Sequence, residues 1–128
     1  MGENELIDYV RANGDAVVST LGPDGEPQAA YLSITATDAG ELVFDAKADS
    51  RKVANLRRDP RVAVVVGGAD GTTLQVQGIA DFPAGADLAR CAGAYETAFP
   101  QFADSLRSAD VVVIRVVVEW SRYGDYRG

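Results

Sequence analysis

ELVFDAKADSRKVANLRRDPRVAVVV, residues Glu41 to Val66, is read here as strand, loop, helix, strand. ELVFDA (Glu41 to Ala46) has the apolar run of a strand. SRKVANLRRDP (Ser50 to Pro60) reads as a short helix closed by proline, and RVAVVV (Arg61 to Val66) as a near-continuous apolar strand. The helix start falls on Ser50, Arg51 and Lys52. The first backbone N–H groups of a helix lack intrahelical partners, and its dipole favours negative charge there. A phosphate is the natural ligand of such an end.

Charge sharpens the point. Both lysines of the chain, Lys47 and Lys52, lie in this stretch with Arg51, Arg57, Arg58 and Arg61. From Lys47 to Arg61 six basic residues face two acidic ones, Asp49 and Asp59, a local charge of +4, whereas the whole chain carries −7. Two readings stand side by side. A basic run is commonly a solvated helix face with Ser50 as an ordinary N-cap; here it also fits an anion site.

At 128 residues the chain is expected to be one domain with a real core. No apolar run reaches the length of a membrane span. No export leader is visible, so the expected compartment is the cytoplasm. The single cysteine, Cys91, admits no intramolecular disulfide and lies in an alanine-rich segment where a buried thiol is expected. With no histidine and one cysteine, the usual zinc, haem-histidine and Ser-His-Asp arrangements are excluded. An acidic chain with one compact basic patch is a poor general nucleic-acid binder. Any redox chemistry would therefore be carried by a bound cofactor.

Outward from the central stretch the elements continue. Asn4 to Asn13 reads as a helix with Leu6, Ile7 and Val10 on one face and Gly14 as its stop. Asp15 to Leu21 and Gln28 to Thr37 read as strands joined by the turn GPDGEP. Thr72 to Asp81 alternates, with Leu74 and Val76 on one face and Thr73, Gln75 and Gln77 on the other; Gly78 marks a bulge or a close backbone approach. A helix is expected over Ala86 to Phe99 with Leu88, Tyr95 and Phe99 toward the core, then a short helical piece and a last strand from Val111 to Trp120. Six strands, mostly hairpin-connected, predict a mainly β fold with α elements, a small antiparallel barrel flanked by helices. The segment Val111 to Val118 is apolar on both faces apart from Arg115. Either a second subunit or one of the chain's own helices must cover its outer side.

This order resembles the FMN-binding split-barrel family that includes pyridoxamine 5′-phosphate oxidase. The likeness rests on AVVSTLGPDGEPQ, LVFDA followed by DSRKVANLRRDPRVAVVV, QVQGIAD and the C-terminal IRV…WSRYGDY. It implies a six-stranded antiparallel split β-barrel, a homodimer, and FMN bound across the dimer interface. Residue by residue it implies that Arg51 and Lys52, with Ser50 beside them, hold the flavin phosphate. It places Asp45, Ala46 and Lys47 along the same pocket, makes Thr73 a flavin contact with Gln75 as a second candidate, and runs Gln28 to Ser33 along the flavin ring.

The departures narrow the substrate. The oxidase proper has a basic residue at each end of that hairpin segment, where this chain has Gln, Ala, Tyr, Leu and Ser. The oxidase also grips its substrate phosphate with a C-terminal arginine–histidine element. The resemblance thus implies a flavin-dependent oxidoreductase acting on a small molecule other than pyridoxamine phosphate. The alternatives are a deazaflavin-dependent reductase on the same fold and a non-enzymatic flavin-binding protein. Tyr31 and Tyr123 are candidate proton donors, and Trp120 a candidate lid or a plug over the barrel mouth.

Overall fold

The computed structural model describes residues 1–128. Helix α1, Glu3–Asn13, buries Leu6, Ile7 and Val10. It stops at Gly14, whose φ of 74° lets its N–H reach the Val10 carbonyl at 2.9 Å. Strands β1 (Asp15–Leu21) and β2 (Pro27–Ser33) form the expected hairpin. Two bonds close its turn: Gly25 N–H donates to the Gly22 carbonyl and Gly22 N–H to the Glu26 carbonyl, with Gly25 at φ 81°.

Here the first difference appears. Gln28 to Thr37 is not one strand but two, because a short strand β3, Thr35–Ala36, follows β2 after a break at Ile34. Ile34 is fully buried, and its N–H bonds to the Gly14 carbonyl at 2.9 Å instead of joining the ladder. The remaining elements are β4 (Leu42–Lys47), α2 (Arg51–Arg58), β5 (Arg61–Gly67), β6 (Thr72–Asp81), α3 (Gly85–Ala98), a 3₁₀ turn (Pro100–Phe102), α4 (Ala103–Leu106) and β7 (Val111–Asp125).

The expected six strands are therefore seven, in one sheet of order β2-β1-β5-β6-β7-β4-β3, and every pairing is antiparallel. The two outermost strands, β2 and β3, are neighbours in the chain. Consecutive Cα atoms lie about 3.8 Å apart, so the sheet must curl until its edges meet at Ile34. The closure is covalent at this corner, and no ladder joins the edges elsewhere.

The concave side holds the main core: Val18, Val64, Leu74, Val76, Phe44 and Ile114, with Val53 and Leu56 from α2 and the α1 face above them. A second cluster of Val43, Val113, Cys91 and Tyr95 lies on the convex side beneath α3. This answers the question raised by the doubly apolar β7. Its outward Val113 is covered by the chain's own helix, whereas Val117 is exposed. Leu88, expected in the core, is also exposed, because the buried stripe of α3 runs through Cys91 and Tyr95.

Strand β7 continues five residues beyond its expected end at Trp120, pairing Tyr123 with Leu74 and Asp125 with Thr72. The Gly78 expectation holds in both senses. The β6–β7 register shifts between Gln77 and Gly78, and a Cβ at Gly78 would sit 2.4 Å from the Val117 carbonyl oxygen. Arg115, on the convex side, is bound by Asp81 at 2.7 Å, Glu41 at 3.2 Å and Asp87 at 3.4 Å, which ties α3 to the sheet. No helix is long and apolar enough to cross a membrane.

Candidate anion-binding site

Helix α2 begins where the sequence places it. Ser50 is its N-cap, and the Ser50 Oγ accepts the Val53 N–H at 3.4 Å. Arg51 and Lys52 fill the first two helical positions. Cations there oppose the helix dipole, at about 0.3–1 kcal/mol each, and no acidic residue in the first turn offsets them. Elsewhere Arg11, Arg61, Arg90, Arg107, Arg115 and Arg127 all pair with carboxylates. Arg51 and Lys52 form no such pair, and neither do Lys47, Arg57, Arg58 and Arg122; what sets Arg51 and Lys52 apart is their place at the helix start. Two cations at the dipole's positive end are an unfavourable arrangement that an anion would relieve.

The two side chains line a cavity of about 150 Å³ together with Val18, Thr20, Gln28, Ala29 and Ala30. That is smaller than the roughly 300–1,000 Å³ of a pocket for a whole organic ligand, and it suits an anionic head group. Thr20, buried, lines the cavity, and the buried Asn55 lies behind it, hydrogen-bonded to both Thr20 and Gln28. The Asn55 amide donates to the Thr20 hydroxyl and to the Gln28 carbonyl oxygen, each at 2.9 Å, and accepts from Arg58 at 2.8 Å. Neither Thr20 nor Asn55 was expected as a site residue. Their only sequence signals are a hydroxyl on the inward face of an apolar strand and an asparagine inside a short helix, where that residue is a poor helix former.

Asp45, Ala46 and Lys47 line a second cavity of about 300 Å³ with Ser33, Tyr95 and Phe102. Asp45 is half-buried. Burial raises its carboxyl pKa, and the Tyr95 hydroxyl and the Lys52 charge oppose that rise. Burial and the adjacent Asp45 in turn push the Tyr95 phenol well above its usual value. Lys52 thus acts on both cavities.

Thr73 and Gln75 do not line either cavity. They lie on the convex face of β6, with Gln75 opposite Val65 on β5 and Arg122 on β7. The same face carries exposed apolar side chains: Val17 opposite both Tyr31 and Val65, and Trp120 opposite Gln77. Tyr31 is 73% exposed. Tyr123 instead packs edge-on against Tyr9 at 5.7 Å. Trp120 sits within its strand, so it does not end the strand over the barrel mouth. A larger cavity, about 780 Å³, lies elsewhere, between α1, β3 and α3. Its two arginines, Arg11 and Arg90, are already held by Asp38 and Glu41.

A curled antiparallel sheet with a basic helix start at its seam defines the class, and comparison with known proteins agrees. The family model described as pyridoxamine 5′-phosphate oxidase matches residues 4–124, and the chain belongs to that family. A conserved hypothetical protein of Mycobacterium tuberculosis is 27% identical, with a TM-score of 0.81 over 99% of this chain and 86% of its own. A heme-binding protein of Mycobacterium smegmatis (21%, TM-score 0.84) aligns with 100% of this chain, which spans 56% of that protein. A heme storage protein of Vibrio cholerae (15%, TM-score 0.80) covers 97% of this chain and 94% of its own. No curated protein matches the chain.

Proposed function

We propose that this protein is a flavin-dependent oxidoreductase that holds FMN by its phosphate on Ser50, Arg51 and Lys52. The observation that carries the reading is the unpaired Arg51–Lys52 pair at the N-terminus of α2, above a cavity sized for a phosphoryl group. Arg51 offers a fork of donors and Lys52 a point charge, so the two are not interchangeable. The flavin would supply electron transfer. The chain's own residues anchor the phosphate, present the Gln28–Ser33 strand to the ring, and exclude water from one side.

The cavity does not enclose a whole cofactor, and the adjacent convex face bears Tyr31, Val17, Val65 and Trp120 in the open. A second copy of the chain seated on that face would cover both, so we take the working form to be a homodimer. Thr73 and Gln75 would then meet the partner's cofactor. The substrate is a small molecule. The hairpin lacks the basic residues of the oxidase, and the chain has no histidine, which argues against pyridoxamine phosphate.

Heme binding among fold neighbours suggests a competing ligand. Iron in such sites is commonly held by His, Cys, Met or Tyr. This chain has no histidine and its one cysteine is fully buried, which leaves only Met1 and its tyrosines as iron ligands, while the cations at the start of α2 favour a phosphate. The deazaflavin alternative shares the basic anchor. The test is the visible spectrum of the purified protein, followed by titration of the apo form with FMN. A flavin band with near-stoichiometric, micromolar or tighter binding is expected. A colourless protein that ignores FMN overturns the reading, and titration with a deazaflavin then decides the alternative.

A further inference from the structure

The hydrogen bonds beneath the anion cavity have a fixed direction. A guanidinium can only donate, so the Asn55 atom facing Arg58 at 2.8 Å is its carbonyl oxygen. The Asn55 NH₂ therefore faces Thr20 and Gln28 and gives one hydrogen to each. Gln28 accepts through its oxygen, and its own NH₂ donates to the Glu26 carboxylate at 3.3 Å, a group that only accepts. Both ends of the network act in one sense only, which fixes every amide between them.

Thr20 is left with a surplus. Its Oγ1 is the acceptor in its bond with Asn55, and it makes no other side-chain hydrogen bond. Its hydroxyl hydrogen therefore has no acceptor among the protein's side chains. The residue is only 2% exposed and borders the cavity with Arg51 and Lys52. A buried donor without an acceptor carries a real cost, and an anionic oxygen in the cavity would relieve it.

We propose that Thr20 directly contacts the anionic oxygen of the ligand, and that Asn55, oriented by Arg58, is the positioning residue that makes Thr20 a donor. This rests on the phosphate-site reading and extends it: Arg51, Lys52 and Thr20 all donate, so the site selects a group that only accepts, a terminal phosphate. The strand β1, assigned no role in binding by the sequence, then supplies one wall of the site.

The test compares FMN with riboflavin, which lacks the phosphate, by fluorescence titration of the apo protein. Thr20→Val keeps the shape and removes the donor; Thr20→Ser restores it. The Val variant is expected to lose about tenfold in FMN affinity while its riboflavin affinity, which also reports folding, stays unchanged, and the Ser variant to keep the wild-type preference. Asn55→Asp turns the Thr20 hydrogen toward the new carboxylate. Its loss of FMN preference should be smaller when Thr20 is already Val, since only the added charge then remains. Wild type that fails to distinguish FMN from riboflavin overturns the phosphate reading and this inference together. Wild type that prefers FMN, with Thr20→Val preferring it equally, overturns this inference alone.

Discussion

Glu41 and Arg115 stand 3.2 Å apart although 74 residues separate them in the chain. One guanidinium from the middle of β7 thereby holds the residue just before β4, the last residue of β6 through Asp81, and α3 through Asp87. Arg115 and Glu41 are 16% and 15% exposed, so their bond is poorly screened, whereas Asp81 and Asp87 are half open to solvent. Replacing Arg115 with Met leaves Asp81 without a partner and Glu41 and Asp87 with Arg90 alone. We expect a loss of about 2 kcal/mol, read as a lower urea midpoint at unchanged slope.

The same cluster sets an acid limit. The Arg90 bond holds the Glu41 carboxyl at about 2, with help from Thr37 and the Arg115 charge and against the effect of burial. A depressed folded-state value means that the stabilisation is complete above the ordinary carboxylate range, near pH ~4.3, and is lost as pH falls toward 2. Glu41→Gln should therefore be less stable than wild type at neutral pH, and the two should converge on acidification. Circular dichroism across an acid titration measures this.

Asp45 behaves in the opposite sense. Burial raises its folded-state value, so its charge costs stability at neutral pH and protonation relieves the cost. Asp45→Asn should raise the melting temperature at pH 7, with the gain shrinking as pH falls. A lower melting temperature at pH 7 would show that Tyr95 and Lys52 outweigh burial.

For the anion site, Arg51→Ala should weaken FMN binding by ~1.5–3 kcal/mol, the range for hydrogen bonds to charged groups. Arg51→Glu should weaken it further yet stabilise the apo protein by ~0.3–1 kcal/mol, because a carboxylate suits the start of α2. Thermal melts with and without FMN separate the two effects. Equal FMN affinity in wild type and Arg51→Ala would remove Arg51 from the site.

The convex face gives a solution test. Tyr31→Glu places a charge on the most exposed aromatic of the sheet, opposite Val17. Light scattering should find wild type dimeric and the variant shifted to monomer. A monomeric wild type would argue against the shared interface.

Features set by neighbours in sequence were legible. The apolar stripe of α1, the alternation of β6 and the Ser50–Arg51–Lys52 helix start each need only a few adjacent residues. The break at Ile34 was not legible, because the group that captures its N–H is the Gly14 carbonyl, twenty positions earlier, and the residues on either side are good strand formers. The last third of β7 was hidden for a related reason: Ser121 to Asp125 are polar and glycine-containing, and only their ladder with β6 makes them a strand. In the site, charge made Arg51 and Lys52 visible. Thr20 and Asn55 carry no charge and matter only through the direction of hydrogen bonds that tertiary packing creates.

The corner at Ile34 leaves a slot with main-chain walls. Beyond it β2 pairs only with β1, and β4 pairs with β3 only at Leu42 and Val43. The edges of β2 and of the rest of β4 therefore keep peptide groups uncommitted to any neighbouring strand. A ligand seated there would meet peptide donors and acceptors whatever side chains surround it. Exchanges at small positions such as Ala29 and Ala30 can then change what is bound while the walls that receive it stay as they are.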